Sequence, residues 1–306
     1  MPEQQDRLIR ATAANGRIRV VAVSTTQTSQ EASRRHQLSP AATAALSRAM
    51  GAALLMASSM KPRQSRVSLR ITGDGSLGTV CADAGQDGTV RGFVGYPDAP
   101  VPLNDQGELA VAEAVGRNGF LQVMRDVGYG EPFSSTVELV AGNVSADVAW
   151  YLAASEQTYS RLLLGEIFTS QGGMAVLQHS AGVLFQVLPG RRPMEEVIRE
   201  LQAQVTEESH LPDAMAQAQD LEGLIGRLLG PLEWQPLPLG RDVRFQCRCS
   251  FERVLGALKM LGESELQDML LKDEGAEATC HFCAEIYRAN SQQLLALIDE
   301  LRQERV

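Results

Sequence analysis

Four of the five cysteines of this 306-residue chain fall near its end, in two short motifs: Cys247-Arg248-Cys249 and Cys280-His281-Phe282-Cys283, with no cysteine between them. A Cys-x-Cys in extended backbone puts both sulfurs on one side of the chain, because strand side chains alternate with period two. A Cys-x-x-Cys wraps a turn and aims two sulfurs at one point. Four thiolates gathered in this way make a closed, soft, tetrahedral donor set, which zinc fits with bonds of about 2.3 Å. One Zn2+ per chain is therefore expected on Cys247, Cys249, Cys280 and Cys283, with no open position left for a catalytic water. A disulfide pair is the main competing use of these sulfurs, and the spacings match iron-sulfur motifs poorly.

A free cysteine, with a pKa near 8.5, is mostly thiol at neutral pH, whereas a metal-held thiolate stays ionised and open to peroxide or hypochlorous acid. The sulfenic acid formed there condenses with a neighbouring sulfur to a disulfide, which removes two ligands. The same four residues can thus act as a clamp and as an oxidation sensor. Two other uses stay open: thiol-disulfide exchange by Cys280 and Cys283, although no βαβ pattern precedes them, and a zinc-ribbon adaptor that binds its partner constitutively. Catalytic residues are not expected. There is no nucleophile-elbow Gly-x-Ser-x-Gly, His36 and His179 have no paired-ligand context, and the GDGSLG run at residues 73–78 lacks the Lys-Ser/Thr ending of a phosphate loop. Cys81, between Val80 and Ala82, reads as a small buried hydrophobe, and Arg248 and Arg253 as solvated.

The sulfurs need elements to hold them. From Arg241 onward, Ser250 can cap a helix that runs to about Leu261 and stops at Gly262, Leu266, Met269 and Leu270 mark a second, and Glu285 to Arg288 extends a hairpin. Leu294, Leu297, Ile298 and Leu301 stripe a last helix. A module of this size rarely builds a sufficient core, so a metal staple decides whether it folds. Residues 241–306 are accordingly expected to be a zinc-binding domain that unfolds when the metal is lost.

Upstream, residues 190–240 read as a helical linker without a strand-like run. Pro193 starts a helix with Met194, Val197, Ile198, Leu201 and Val205 on one face, and Leu221, Leu224, Ile225, Leu228 and Leu229 stripe another that ends at Gly230-Pro231. Short helices of this kind need a surface to cover their stripes.

Residues 1–189 form the expected N-terminal core. Arg17–Thr25 reads as a strand, followed by a polar loop to Gln37. Ser39 and Pro40 then open an alanine-rich helix to about Met60, with Leu46, Met50, Leu54 and Met56 as buried candidates. Strands are expected over 66–72, 77–84, 89–96, 120–127, 136–140, 162–169, 174–178 and 183–188, with a helix capped by Ser145 between the fifth and sixth. The fold class is α+β: an N-terminal α/β core with largely antiparallel sheets, a helical linker and a small C-terminal zinc-binding module.

Composition bounds the partners. A formal charge of -9 argues against nucleic acid and anionic membranes, and 44% hydrophobic with 21% charged residues is ordinary for a globular chain. The start, MPEQQDRLIRATAANG, shows no secretory signal and the longest apolar window, 49–57, is too short to cross a bilayer, so a cytoplasmic location is expected.

The run Phe245–Leu266 (FQCRCSFERVLGALKMLGESEL) and the later CHFCAEIY resemble the heat-shock protein 33 family of redox-regulated chaperones. RGFVGYP (91–97), GFLQVMRDVG (119–128), YLAASEQT (151–158) and AGVLFQVLPG (181–190) extend the resemblance over nearly the whole chain in the family's order. The resemblance implies a non-enzymatic, ATP-independent holdase that is silent while reduced. On oxidation it would form the disulfides Cys247-Cys249 and Cys280-Cys283, release zinc, free a metastable linker, dimerise, and hold unfolded or partly folded client proteins. Cys81 is no part of the family's motif.

Overall fold

A computed structural model of the chain describes residues 5–100, 109–206 and 210–303; the remaining segments lie outside the described residues. Strands β1 (Arg7–Ala13) and β2 (Ile18–Ser24) pair antiparallel across a tight turn in which Ala14, Asn15 and Gly16 all take positive φ. The apolar run of β2 does not alternate with polar residues because both faces are covered: Val21 and Val23 point into one core, Val20 and Ala22 into another.

Helix α1 (Thr26–His36) stands where the sequence suggests a polar loop. Its residues carry no apolar stripe, and its buried positions are Thr28, Ser29 and Ala32. The support comes from Asp6, whose Oδ2 accepts hydrogen bonds of 2.7 Å from both the backbone N–H and the hydroxyl of Thr28. A carboxylate brought from another strand thus caps the first turn, which local periodicity cannot reveal.

Helix α2 (Pro40–Ala57) begins as expected, with Ser39 Oγ accepting from Ala42 N at 3.3 Å and Pro40 in the first turn. It is long and apolar enough to cross a membrane by length and composition, yet every residue but Pro40 and Arg48 is buried within the protein. Leu46, Met50, Leu54 and Met56 are all buried. They pack between two sheets.

One sheet is built from β3 (Arg66–Gly73), β4 (Thr79–Gly85), β5 (Thr89–Val94), β6 (Gly119–Asp126) and β7 (Phe133–Glu138), with the short α3 (Val111–Val115) before β6. Gly88, at φ +86°, turns β4 into β5, and a Cβ there would meet the Asp242 carbonyl oxygen at 2.1 Å. After β7, helix α4 (Val144–Glu156) is capped by Asn143, whose Oδ1 accepts from Ser145 N and Ala146 N. Ser145, the expected cap, lies inside the helix, because Asp147 ties the preceding turn through Val140 N and Ala141 N and so sets the start two residues earlier. Strands β8 (Ser160–Gln171) and β9 (Met174–Val187) follow as one long hairpin; the two expected strands 174–178 and 183–188 are this single strand.

The linker stretch carries α5 (Met194–Gln204), α6 (His210–Gln217) and α7 (Leu221–Leu229). Val197, Leu201, Leu211, Met215, Leu224, Ile225 and Leu229 bury against Ile9, Ile18, Val20, Val183 and Phe185, so the stripes read from the sequence have the sheet's second face as their cover. The expectation of no strand here fails at β10 (Trp234–Asp242), which pairs antiparallel with β1, Ala11 opposite Pro236. Pro236 and Pro238 mask it in the sequence, but β10 is an edge strand, where missing N–H donors are tolerated. The first sheet therefore runs β10-β1-β2-β9-β8. The second runs β11-β5-β4-β3-β6-β7, with β11 (Arg244–Phe245) its only parallel member among the described residues.

Two compact units result, Met1–Gln246 and Cys247–Val306. The second contains α8 (Phe251–Leu261), α9 (Glu263–Asp273), the antiparallel pair β12 (Gly275–Thr279) and β13 (Ile286–Asn290), and α10 (Ser291–Gln303). Its helices start and stop where the caps predict: Ser250 Oγ accepts from Arg253 N, and Gly262, at φ +90°, ends α8. The architecture is mixed α and β with antiparallel sheets, as the sequence implies.

Candidate metal centre

Cys247 and Cys249 lie in the extended stretch that leads to Ser250, the N-cap of α8. Cys280 and Cys283 sit on the turn joining β12 to β13. That turn is closed by Cys280 N donating to the Glu285 carbonyl (2.9 Å) and by Cys283 N and Ala284 N donating to the Cys280 carbonyl (3.3 and 2.8 Å). Ala284 takes φ +56°, a left-handed conformation that folds the Cys-x-x-Cys back on itself. The hairpin thereby presents two sulfurs on one side, as the spacing suggests.

All four Sγ atoms lie within 4.8 Å of one another. Two of the close separations cross between the motifs: 3.4 Å for Cys249 to Cys283 and 3.7 Å for Cys247 to Cys280. Four sulfurs about 2.3 Å from a common centre stand about 3.8 Å apart at tetrahedral angles, so the cluster has the size of a tetrathiolate metal site. No pair approaches the bond length of a disulfide, about 2.05 Å; all five cysteines are free. The four residues could hold a metal ion, and their chemistry is compatible with zinc.

The electrostatics point the same way. Burial and the neighbouring sulfurs push the Cys283 thiol well above the ordinary cysteine range, and burial likewise raises Cys280. Several thiolates this close repel one another, so a cation is what allows them to be ionised together. Cys283 is buried and the other three are half-buried.

One residue of the site escaped the sequence reading. Tyr287 donates its phenolic hydrogen to Cys249 Sγ at 3.1 Å, and its ring stacks on Phe251 with centroids 6.4 Å apart. It lies in the quoted CHFCAEIY run, on the strand after the turn, but its reach to a sulfur 38 residues away depends on the β12–β13 pairing. His36 and His179 belong to the other unit. So does Cys81, which is buried on β4 with its thiol pushed up to about 11, chiefly by desolvation.

The sequence model of the family described as Hsp33 protein matches residues 6–290. The chain belongs to the Hsp33 family. Relatives named 33 kDa chaperonin from Gloeothece citriformis and Rippkaea orientalis are 54% and 53% identical, over 97% and 98% of this chain and 98% and 99% of their own lengths. A crystal structure of the 33 kDa chaperonin (heat shock protein 33 homolog) of Thermotoga maritima superposes with a TM-score of 0.89. It is 28% identical and covers 98% of this chain and all of that one. Membership in the Hsp33 family accords with the resemblance read from motifs along nearly the whole chain.

Proposed function

We propose that this chain is a redox-regulated, ATP-independent chaperone that holds one zinc ion on Cys247, Cys249, Cys280 and Cys283 while reduced and captures unfolding proteins once those cysteines are oxidised. The observation that carries the reading is the gathering of four sulfurs into one tetrahedral-sized cluster within a unit whose own core is small. Bound there, zinc would keep the sulfurs ionised and tie the α8 entry to the β12–β13 turn. A thiolate sulfur attacks peroxide, breaking its O–O bond, to give a sulfenic acid and hydroxide. A second thiolate displaces that hydroxyl as hydroxide and forms a disulfide, so two thiolates and one peroxide become one disulfide and two hydroxides, which take up protons to become water. Pairing Cys247 with Cys249 and Cys280 with Cys283 consumes all four ligands and frees the ion.

With the staple gone, the cysteine unit unfolds, and the chain just before it becomes less constrained. Residues 190–240 then act as the metastable linker between a core over 1–189 and a switch over 241–306. Undocking α5–α7 uncovers two apolar surfaces at once, the helix stripes and the sheet face with Ile9, Val20 and Phe185, a patch large enough to bind exposed apolar segments of clients. The oxidised chain works as a homodimer in the cytoplasm and performs no catalysis.

The thiol-exchange alternative is disfavoured by the site itself. Cys280 and Cys283 sit on a strand-to-strand turn with raised thiol values, not at a helix N-terminus that would lower them. The test is to titrate the reduced, zinc-loaded chain with peroxide while following zinc release with a chromogenic chelator and aggregation of a heat-denatured client by light scattering. Zinc release that tracks the gain of anti-aggregation activity supports the reading. Release without such a gain, or reduction of insulin disulfides by the chain, rejects it.

A further inference from the structure

At the C-terminal end of α2, three strands and a loop bring four cations around one cavity of about 310 Å3: Arg10 on β1, Arg19 on β2, Arg241 on β10 and Lys61 after the helix. The chain as a whole carries a formal charge of -9, so this is a local reversal of field. Arg19 donates to Gln186 Oε1 at 2.6 Å and Arg241 to the Gln86 carbonyl, bonds that bring no negative charge. Arg19 Nε is buried with no hydrogen-bond partner among the described residues. Burial pulls both guanidiniums below their ordinary values, and Arg10 adds to the effect on each. Two carboxylates act on them from a distance, and both are engaged elsewhere: Glu156 is paired with Arg125, and Asp87 accepts from the N–H and hydroxyl of Thr89.

The bland explanation is that the cations complement the negative end of α2. A helix end amounts to about half a charge. Its last carbonyls are already taken, those of Leu54, Leu55 and Met56 by Ser58 N, Ser58 Oγ and Ser59 Oγ. Four cations exceed that need. Guanidinium forks match phosphate oxygens in bidentate geometry, and three guanidiniums line this cavity. At about 310 Å3 the cavity has room for a small anion such as pyrophosphate. Among the described residues, no aromatic side chain lines the cavity to stack a nucleobase.

We propose that this cavity is a binding site for a compact phosphate-rich anion of pyrophosphate size, held by Arg10, Arg19, Lys61 and Arg241. The inference does not depend on the redox reading, because every lining residue lies in the unit without the metal cluster.

Isothermal titration of the full, reduced, metal-loaded chain with inorganic pyrophosphate tests it, at low and at physiological ionic strength. Zinc content is measured before and after, so that metal withdrawal is not mistaken for binding. We expect one pyrophosphate per chain, with affinity that falls as salt rises. Arg10→Gln should weaken it about tenfold, as should Lys61→Gln, an exposed change that leaves the fold intact; the double variant should lose roughly a hundredfold. Absence of saturable binding by the parent at low salt overturns the proposal. So does binding by Lys61→Gln and Arg10→Gln at the parent's affinity.

Discussion

The two units of the chain are stabilised by different means. In Met1–Gln246, α2 is buried between two sheets and the first sheet is buried on both faces, so the fold rests on a large apolar core. In Cys247–Val306 the core among the described residues is six buried side chains, Leu258, Leu266, Ala289, Leu294, Leu297 and Ile298. Met260 and Leu271 of the same unit stand out into solvent. A core that small does not offset the conformational entropy of about 60 residues. On the proposed function, the comparison locates the switch: chemistry at four sulfurs would reverse folding in the second unit, where little apolar burial supports the fold, and not in the first.

The sharpest way to break this comparison is to remove the metal. A structural tetrathiolate zinc site contributes roughly 10–16 kcal/mol, as much as the whole stability of an ordinary domain. Cys280→Ser, or chelation under reducing conditions, should therefore abolish amide protection throughout 247–303 while strands β1, β2 and β9 keep theirs. Uniform loss of protection across both units, or retained protection in α10, would contradict the division.

Next in size is Leu224→Glu with Leu228→Glu. Leu224 is fully buried and Leu228 is nearly so, both against the sheet. Losing each Leu contact costs roughly 2–5 kcal/mol, and burying an unpaired carboxylate costs more. The fully reduced variant should suppress aggregation of a heat-denatured client and be cut by protease within 190–240 faster than the parent. A reduced variant that stays inactive and resistant shows that the stripes are not the latch.

A smaller effect is expected at Tyr287. The hydroxyl donates to Cys249 Sγ, and a donor lowers the nucleophilicity of the sulfur it binds. Tyr287→Phe keeps the ring beside Phe251 and removes only that bond, worth about 1 kcal/mol. Peroxide-driven zinc release should then run roughly fivefold faster at an unchanged circular dichroism spectrum. An unaltered or slower rate removes Tyr287 from the switch.

The smallest change is expected at Cys81, which belongs to the stable unit. Cys81→Ser should leave one zinc per chain, and iodoacetamide at pH 8 should not label Cys81 in the folded parent. Its thiol rises from 9.0 to about 11 on folding, so the folded state is favoured by its protonated form below about pH 9 and loses that contribution as pH rises through about 11. The serine variant should lack this part of the alkaline loss of stability, which denaturant midpoints between pH 8 and 11 would register. Peptide mapping of the oxidised protein addresses the disulfides. All four sulfurs lie within 4.8 Å of one another, so recovery of Cys247-Cys249 and Cys280-Cys283 supports the proposed pairing, and recovery of mainly crossed pairs rejects it.

By itself the sequence determined whatever is encoded within a few residues. The cysteine spacings marked the four sulfurs, Ser39 and Ser250 marked helix starts, Gly262 marked a stop, and the stripes around Leu201 and Leu224 marked faces needing a cover. Each signal works over one turn or one pleat, the range of a capping bond or a side-chain period. Tertiary structure decided what depends on partners far along the chain. Helix α1 exists through Asp6, 22 residues before Thr28. β10 is a strand because β1 offers it an edge that tolerates proline, and that pairing also places Arg241 beside Arg10. Tyr287 reaches Cys249 only once β12 and β13 are paired. These contacts close long loops, and the identity of the residue at the far end leaves no mark on the local pattern.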